Sequence, residues 1–222
     1  MPIPSTLDHI MVVVPDLAAG VEAFRELTGV TPVPGGRHPI GTANALVGLR
    51  RTDGGDERVY LELLGPDPDA SAAAFDSGGR FLVGDASGLV GRTWLIHPAD
   101  LDATVAAAEA AAVDLGDVRP LSRETPSGET LSWRLSVAYP LPSGGAQPAL
   151  IDWGTTPHPS TRLAAEVVLE SLDVLSPEPD RVRAGLAVLG TDAVVVEGET
   201  PGVRIVLGTP RGRVVIGPAG VE

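Results

Sequence analysis

Leu7 to Asp16 reads LDHIMVVVPD, an apolar run that carries one histidine and closes on Pro15 and Asp16. Directly behind it Leu17, Val21, Phe24 and Leu27 recur at helical spacing, and Gly29 stands where a left-handed residue ends a helix cheaply. The stretch therefore reads as a strand feeding a helix. The same grammar returns twice. Val90 to Asp100 (VGRTWLIHPAD) leads into Leu101, Val105, Ala108 and Ala112, and Val167 to Asp180 (VVLESLDVLSPEPD) leads into Val182, Leu186 and Leu189.

Strand signals follow each helix. After the first comes a turn-rich segment, Thr31 to Gly41, with a short strand expected near Thr31 to Val33. Its prolines and glycines cannot sit inside a central strand. Ala43 to Leu49 and Arg58 to Leu64 (RVYLELL) then alternate, separated by Thr52 to Glu57 (TDGGDE), which has hairpin-turn chemistry. Gly65 to Gly88 is poor in apolar bulk and reads as a linker or partly ordered connection. The second unit has strand Arg92 to Ile96, helix Leu101 to Ala112, a short strand near Val118 to Leu121, a loop Ser122 to Glu129, and strands Leu131 to Ala138 and Ala149 to Trp153. In Leu131 to Val137 the faces separate: Leu131, Trp133, Leu135 and Val137 on one, Ser132, Arg134 and Ser136 on the other. An apolar side against helices and a polar side lining a cup accounts for that alternation. The third unit reads as strand Ala165 to Leu175, helix Asp180 to Leu189, and strands Ala193 to Val196, Val203 to Leu207 and Arg213 to Ile216. The expected fold is α+β: repeated βαβββ units at about 7–64 and 90–153 face each other across a cup within a domain spanning 5–157. A third such unit occupies 162–222.

Composition narrows the function classes. The 222 residues are 43% hydrophobic, enough to bury a sizeable core, and carry a formal net charge of −13. That balance repels phosphate backbones and anionic lipid, so neither nucleic acid nor a membrane surface is an expected partner. With no cysteine, disulfides, thiolate metal sites and a thiol nucleophile are excluded together. No charged leader precedes an apolar segment and no apolar stretch reaches membrane-spanning length, which makes a soluble cytoplasmic protein the expectation. Gly35-Gly36 and Gly54-Gly55 match neither a dinucleotide fingerprint nor a phosphate loop, and neither HExxH nor GxSxG occurs.

LDHIMVVVPDL, GGRHPIGTANALVGL, YLELL, LSWRL, and IDW with the downstream His158-Pro159 together resemble the glyoxalase-like branch of the vicinal oxygen chelate superfamily, over Leu7 to Pro159. The resemblance implies a cup-shaped sheet enclosing a small-molecule pocket. In metal-dependent members each unit gives two ligands, commonly a His and a Glu. Members include glyoxalases, epimerases, ring-cleaving dioxygenases, antibiotic-modifying enzymes and metal-free drug-binding proteins, so the fold does not fix the reaction.

Carried over residue by residue, His9 and Glu62 match the first-unit pair. In the second unit Arg92 stands where a histidine is expected and Asp152 where the second Glu is expected. An arginine has no lone pair to give a metal, so Arg92 is read as an anion contact or as the partner of Asp152. The metal set is then His9, Glu62 and Asp152, holding a divalent Mn, Ni, Zn or Fe. Glu62 lies inside an apolar strand, and a carboxylate there needs a cation, a metal or a proton. The catalytic candidates are Glu62 and His38, the latter from its place in the family-like segment. Asn44, Arg92, Arg134 and Trp153 are the candidates for holding substrate, Arg134 as a guanidinium on a polar strand face. His97 and His158, each followed by Pro, read as capping or loop residues. Two functions stay open: a metal-dependent lyase, isomerase or dioxygenase acting on a carbonyl or enediolate substrate, or a metal-free pocket that binds or sequesters a small molecule. A small molecule is the expected partner, with a homodimer left open by the apolar third unit.

Overall fold

The computed structural model describes residues 3–54, 59–125 and 127–222. In chain order it runs β1 (Leu7–Val13), α1 (Leu17–Thr28), β2 (Val33–His38), β3 (Thr42–Arg51), β4 (Val59–Pro66), α2 (Ala72–Ala74), α3 (Arg80–Val83), β5 (Val90–Ile96), α4 (Leu101–Ala110), β6 (Asp117–Glu124), β7 (Thr130–Val137), β8 (Ala149–Asp152), β9 (Val167–Ser176), α5 (Pro179–Val188), β10 (Val194–Glu197), β11 (Gly202–Thr209), β12 (Gly212–Gly217) and β13 (Gly220–Val221). Part of the expected hairpin turn, Gly55 to Glu57, the strand start at Arg58, and Pro126 of the expected 122–129 loop lie outside the described residues.

The strands form one sheet in the order β13-β12-β11-β9-β3-β4-β1-β5-β8-β7-β6, with β10 beside β9 and β2 beside β3. In the first two units the last strand returns parallel to the first, β4 on β1 and β8 on β5, and the units join where β1 and β5 pair antiparallel. β2 holds Pro34 because it is an edge strand, bonded to β3 alone.

Four expectations change. The strand expected near Thr31 to Val33 lies at Val33–His38, inside the turn-rich segment. Gly65 to Gly88 is not a linker: α2, a π-turn at Phe75–Gly79 and α3 form one helical stretch, and its Leu82 packs on Met11, Val13 and Leu64 in the cup. The third unit repeats the order of elements but not their pairing. There β10 returns directly alongside β9 in parallel, and β11 and β12 follow antiparallel on the other side. The strand near Val118 is longer than expected and runs to Glu124, taking in the first three residues of the supposed loop.

The two faces of the sheet bury different sets. The helix side joins Leu7, Ile10 and Val12 of β1 to Phe24 of α1, Leu61 and Leu63 of β4, Trp94 of β5, and Leu169, Val203 and Ile205 of the third unit. That unit lies over the seam of the first two: a Cβ on Gly91 would stand 2.1 Å from the Val203 carbonyl, so only glycine lets β11 come so close to β5. No described helix is long and apolar enough to cross a membrane.

Candidate functional site

The site begins with an irregularity in β1. Leu7 and Ile10 both face the helix side, which strict alternation forbids for residues three apart. The pairing with β5 explains it: Leu7 opposes Ile96 and His9 opposes Leu95, leaving Asp8 as the extra residue of a bulge. As a result Asp8 and His9 bond side by side. Asp8 Oδ1 lies 2.6 Å from His9 Nδ1. Its Oδ2 accepts from Trp153 Nε1 at 3.0 Å and from His158 Nε2 at 3.2 Å. His158 is able to donate there because its Nδ1 accepts from the Ser160 N–H.

On the other side of the imidazole, His9 Nε2 stands 3.6 Å from Glu62 Oε2, an ion-pair contact rather than a hydrogen bond. Asn44 Nδ2 donates a short hydrogen bond to Glu62 Oε1 and lies 3.4 Å from His38 Nε2, while His38 Nδ1 is 3.0 Å from Thr42 Oγ1. Tyr60, paired with His9 across β1 and β4, stacks on its ring at 4.5 Å and 14°. Thus β1, β3 and β4 bring His9, Asn44 and Glu62 together with His38 of β2. Asp8, His9, Asn44, Tyr60 and Glu62 are each at most 6% exposed.

Burial works against every charge here, yet the contacts outweigh it. Burial alone would deprotonate His9, but the Asp8 and Glu62 carboxylates raise its pKa to about 9. Glu62 is opposed by burial too, and the His9 and His38 rings with the Asn44 amide lower it to about 2. Asp8, against burial and through its bonds from His158 and His9, is held well below the ordinary carboxylate range. His38 is moved down by burial, with Arg123 and His9 adding to the effect and Glu62 opposing it. Around neutral pH the cluster is therefore carboxylate, imidazolium, carboxylate, with a neutral imidazole beside it.

The second unit supplies none of the ligands expected of it. Its alternation was assigned to the wrong sides: Trp133 and Leu135 face the cup with Ile151 and Leu95, so Arg134 and Asp152 project to the opposite face. There Arg134 bonds Asp152 at 2.8 Å and Asp102 of α4 at 2.9 Å, so both carboxylates already occupy the guanidinium proposed to hold substrate. The Asp152 carboxyl is kept below its ordinary value chiefly by Arg134, with the Gly154 N–H helping. Arg92 is the extra residue of a second β1–β5 bulge and donates to the Val83 carbonyl of α3 at 2.9 Å, so it does not pair with Asp152. Among the described residues no group of three or more His, Asp or Glu side chains could hold a metal ion. The donor set His9, Glu62 and Asp152 does not fit a metal centre, because the second unit places Ile151 where a carboxylate is needed.

Trp153 does reach the site, through its bond to Asp8, and with Trp133 walls a cleft of about 480 Å³ that Ser132, Arg134, Asp152 and Thr156 also line, so Arg134 and Asp152 border this cleft though they do not join the Glu62 cluster. Sequence reasoning passed over Asp8, Tyr60 and Arg123, and gave His158 only a capping or loop role. Asp8 and Tyr60 carried a signal, as polar groups beside His9 and Glu62 in two strands otherwise apolar. His158 does cap a turn, as expected, but it is also buried against Asp8. Arg123 gave no signal, since it fell in a supposed loop. It is 6% exposed on β6, at the seam where that edge strand meets Gly36 of β2.

A family profile described as glyoxalase-like domain matches residues 7–190. No curated protein sequence matches the chain. Among solved structures, a hypothetical protein from Staphylococcus aureus aligns over 99% of this chain and 88% of its own at 15% identity, with a TM-score of 0.63. A Streptomyces coelicolor methylmalonyl-CoA epimerase variant bound to 2-nitronate-propionyl-CoA covers 69% of this chain and 98% of its own at 24% identity and TM-score 0.44. The Mycobacterium tuberculosis methylmalonyl-CoA epimerase covers 66% and 85% at 19% identity and TM-score 0.38. With a profile match spanning both cup-forming units and part of the third, the chain belongs to the glyoxalase-like domain family.

Proposed function

We propose that the protein is a proton-transferring isomerase or lyase of small carbonyl compounds in which Glu62 moves the proton without a metal. The observation that carries this reading is a buried carboxylate held ionised between an imidazolium and an amide, on the cup face of the sheet. At rest Glu62 is a weak base, because its pKa is near 2. A carbonyl substrate that displaces its Asn44 or His9 contact removes the interactions holding it there, and its basicity rises as the substrate binds. His9, kept doubly protonated by Asp8, is the charge that stabilises the enolate formed when the α-proton leaves. Asp8 is a positioning residue: it fixes the imidazole ring and its charge and is itself held by Trp153 and His158. Asn44 and His38 orient the carboxylate from the other side.

The test is deuterium incorporation at the α-carbon of a panel of short 2-oxo and 3-oxo acids and their thioesters in D₂O, followed by proton NMR. Wild type is expected to accelerate exchange in at least one member and Glu62→Gln to lose that acceleration. Exchange no faster than in buffer, or undiminished in Glu62→Gln, would refute the reading. The alternative is a pocket that binds without chemistry, and the open cleft beside Trp133 and Trp153 favours it. Saturable binding with no exchange anywhere in the panel would establish that alternative.

A further inference from the structure

Arg123 is a buried cation that makes no ion pair among the described residues. Its Nη1 is buried without a hydrogen-bond partner, and among the described residues no carboxylate comes within ion-pair distance of the guanidinium. It nevertheless acts electrostatically on His38 and Tyr60, which border the Glu62 cluster. Two glycines of β2 let the backbone pack directly against this guanidinium and against Asn44. A Cβ on Gly36 would sit 2.8 Å from Arg123 Nη1, and one on Gly35 would sit 2.2 Å from Asn44 Oδ1. That Asn44 oxygen is the second buried atom here without a partner. A free donor on a cation and a free acceptor therefore flank one glycine pair at the rim of the cup. Leaving a guanidinium buried and unpaired is strongly unfavourable, and such a group is retained where something else supplies the counter-charge.

We propose that Arg123 binds the carboxylate of the substrate, and that the ligand class is a short hydroxy acid, or an oxo acid in its enol form, whose hydroxyl donates to Asn44 Oδ1. Asp8, His9, Glu62 and Arg123 together carry two negative and two positive charges, so the empty cup is balanced overall but Arg123 is not balanced locally. A monoanionic ligand satisfies the guanidinium in a planar two-point contact that a lysine cannot reproduce. The inference deepens the proton-transfer reading and rests on it for the fate of the bound acid, though not for the binding itself.

Two measurements test it. First, thermal unfolding without ligand: Arg123→Met is expected to raise the melting temperature, because it removes an uncompensated buried charge, and a lowered one would mark Arg123 as a structural residue and overturn the proposal. Second, calorimetric titration of wild type, Arg123→Gln, Arg123→Lys and Glu62→Gln with short hydroxy and oxo acids, their primary amides and inorganic phosphate. The carboxylates are expected to bind wild type at least about tenfold more tightly than the amides, to lose that advantage in Arg123→Gln, and to keep part of it in Arg123→Lys. Unchanged carboxylate affinity in Arg123→Gln, or no saturable carboxylate binding to wild type, overturns the proposal. Phosphate binding as tightly as the acids makes Arg123 a general anion contact and overturns the ligand class. Glu62→Gln separates the two readings: binding kept there while wild type shows no isotope exchange sinks the proton-transfer reading alone. Exchange in wild type that is undisturbed in Arg123→Gln sinks this one alone.

Discussion

A single extra residue in β1 sets up the chemistry of the molecule. Without the bulge, Asp8 would point into the helix-side core and His9 would face Glu62 with its other nitrogen unsupported. Breaking one member of a buried ionic chain leaves its partners charged and unpaired, so Asp8→Asn is expected to destabilise the fold by roughly 3–5 kcal/mol. Chemical denaturation at neutral pH checks this, and an unchanged midpoint would show that Asp8 is not holding His9. The pH dependence follows from the signs. His9 is raised above its ordinary value of 6.5 to about 9, so its contribution is complete below pH 6.5 and lost as pH climbs through 9. Glu62 is lowered from 4.5 to about 2, so its contribution is present above 4.5 and lost as pH falls through 2. Stability is expected to be flat between pH 4.5 and 6.5 as far as these two groups are concerned, and His9→Gln to abolish the alkaline decline.

At the scale of the strand, face assignment decided what was legible in the sequence. In β1 and β4 strict alternation puts His9 with Leu7, Met11 and Val13, and Glu62 with Tyr60 and Leu64; the bulge at Asp8 turns Leu7 to the helix side instead, and the others share the cup face as the pattern has it. In β7 the period holds but the sides are exchanged, because a tryptophan serves a cup wall as well as a core and the polar face is the outer one. Asp152 went wrong by one residue, which in a strand means the opposite face. The glycine-rich β2 looked like a loop because an edge strand tolerates turn residues, and the helical stretch behind β4 was hidden by its small side chains. The second unit's lack of ligands leads to a prediction. Metal-stripped wild type, Arg92→His and His9→Ala are all expected to bind Mn²⁺, Ni²⁺ and Zn²⁺ weakly and alike, since position 92 sits in a bulge beside the Val83 carbonyl. Tight binding by wild type that His9→Ala abolishes would restore the metal centre. Gly91→Ala tests the other seam: its methyl would collide with the Val203 carbonyl and cost about 1–3 kcal/mol or more. An unaltered unfolding midpoint would mean that β11 and β5 separate freely.

Across the whole chain, the third unit matters as a lid on the core. β9 extends the sheet beside β3, pairing Val167 with Leu49, and β11 lies over β5, so Leu169, Val203 and Ile205 complete the packing begun by Leu7, Ile10 and Trp94. We propose 5–157 and 162–222 as the two parts of the chain, with the first dependent on the second for cover. A chain ending at Thr161 exposes the helix-side face of the β1–β5 seam, and an uncovered patch of that kind drives association. It is expected to aggregate or to lose cooperative unfolding in size-exclusion and calorimetric measurements. A monodisperse truncated chain with the full-length melting profile would show that the third unit is an independent appendage.

The most direct measurement of the central claim, that the cup holds an Asp8–His9–Glu62 ionic chain rather than half a metal site, is a nitrogen-15 NMR titration of the His9 ring. Wild type should show both ring nitrogens protonated at neutral pH and a transition near pH 9, moved downward in Asp8→Asn and in Glu62→Gln. A ring that is neutral at pH 7 with a transition below that value, indifferent to both substitutions, would contradict the account.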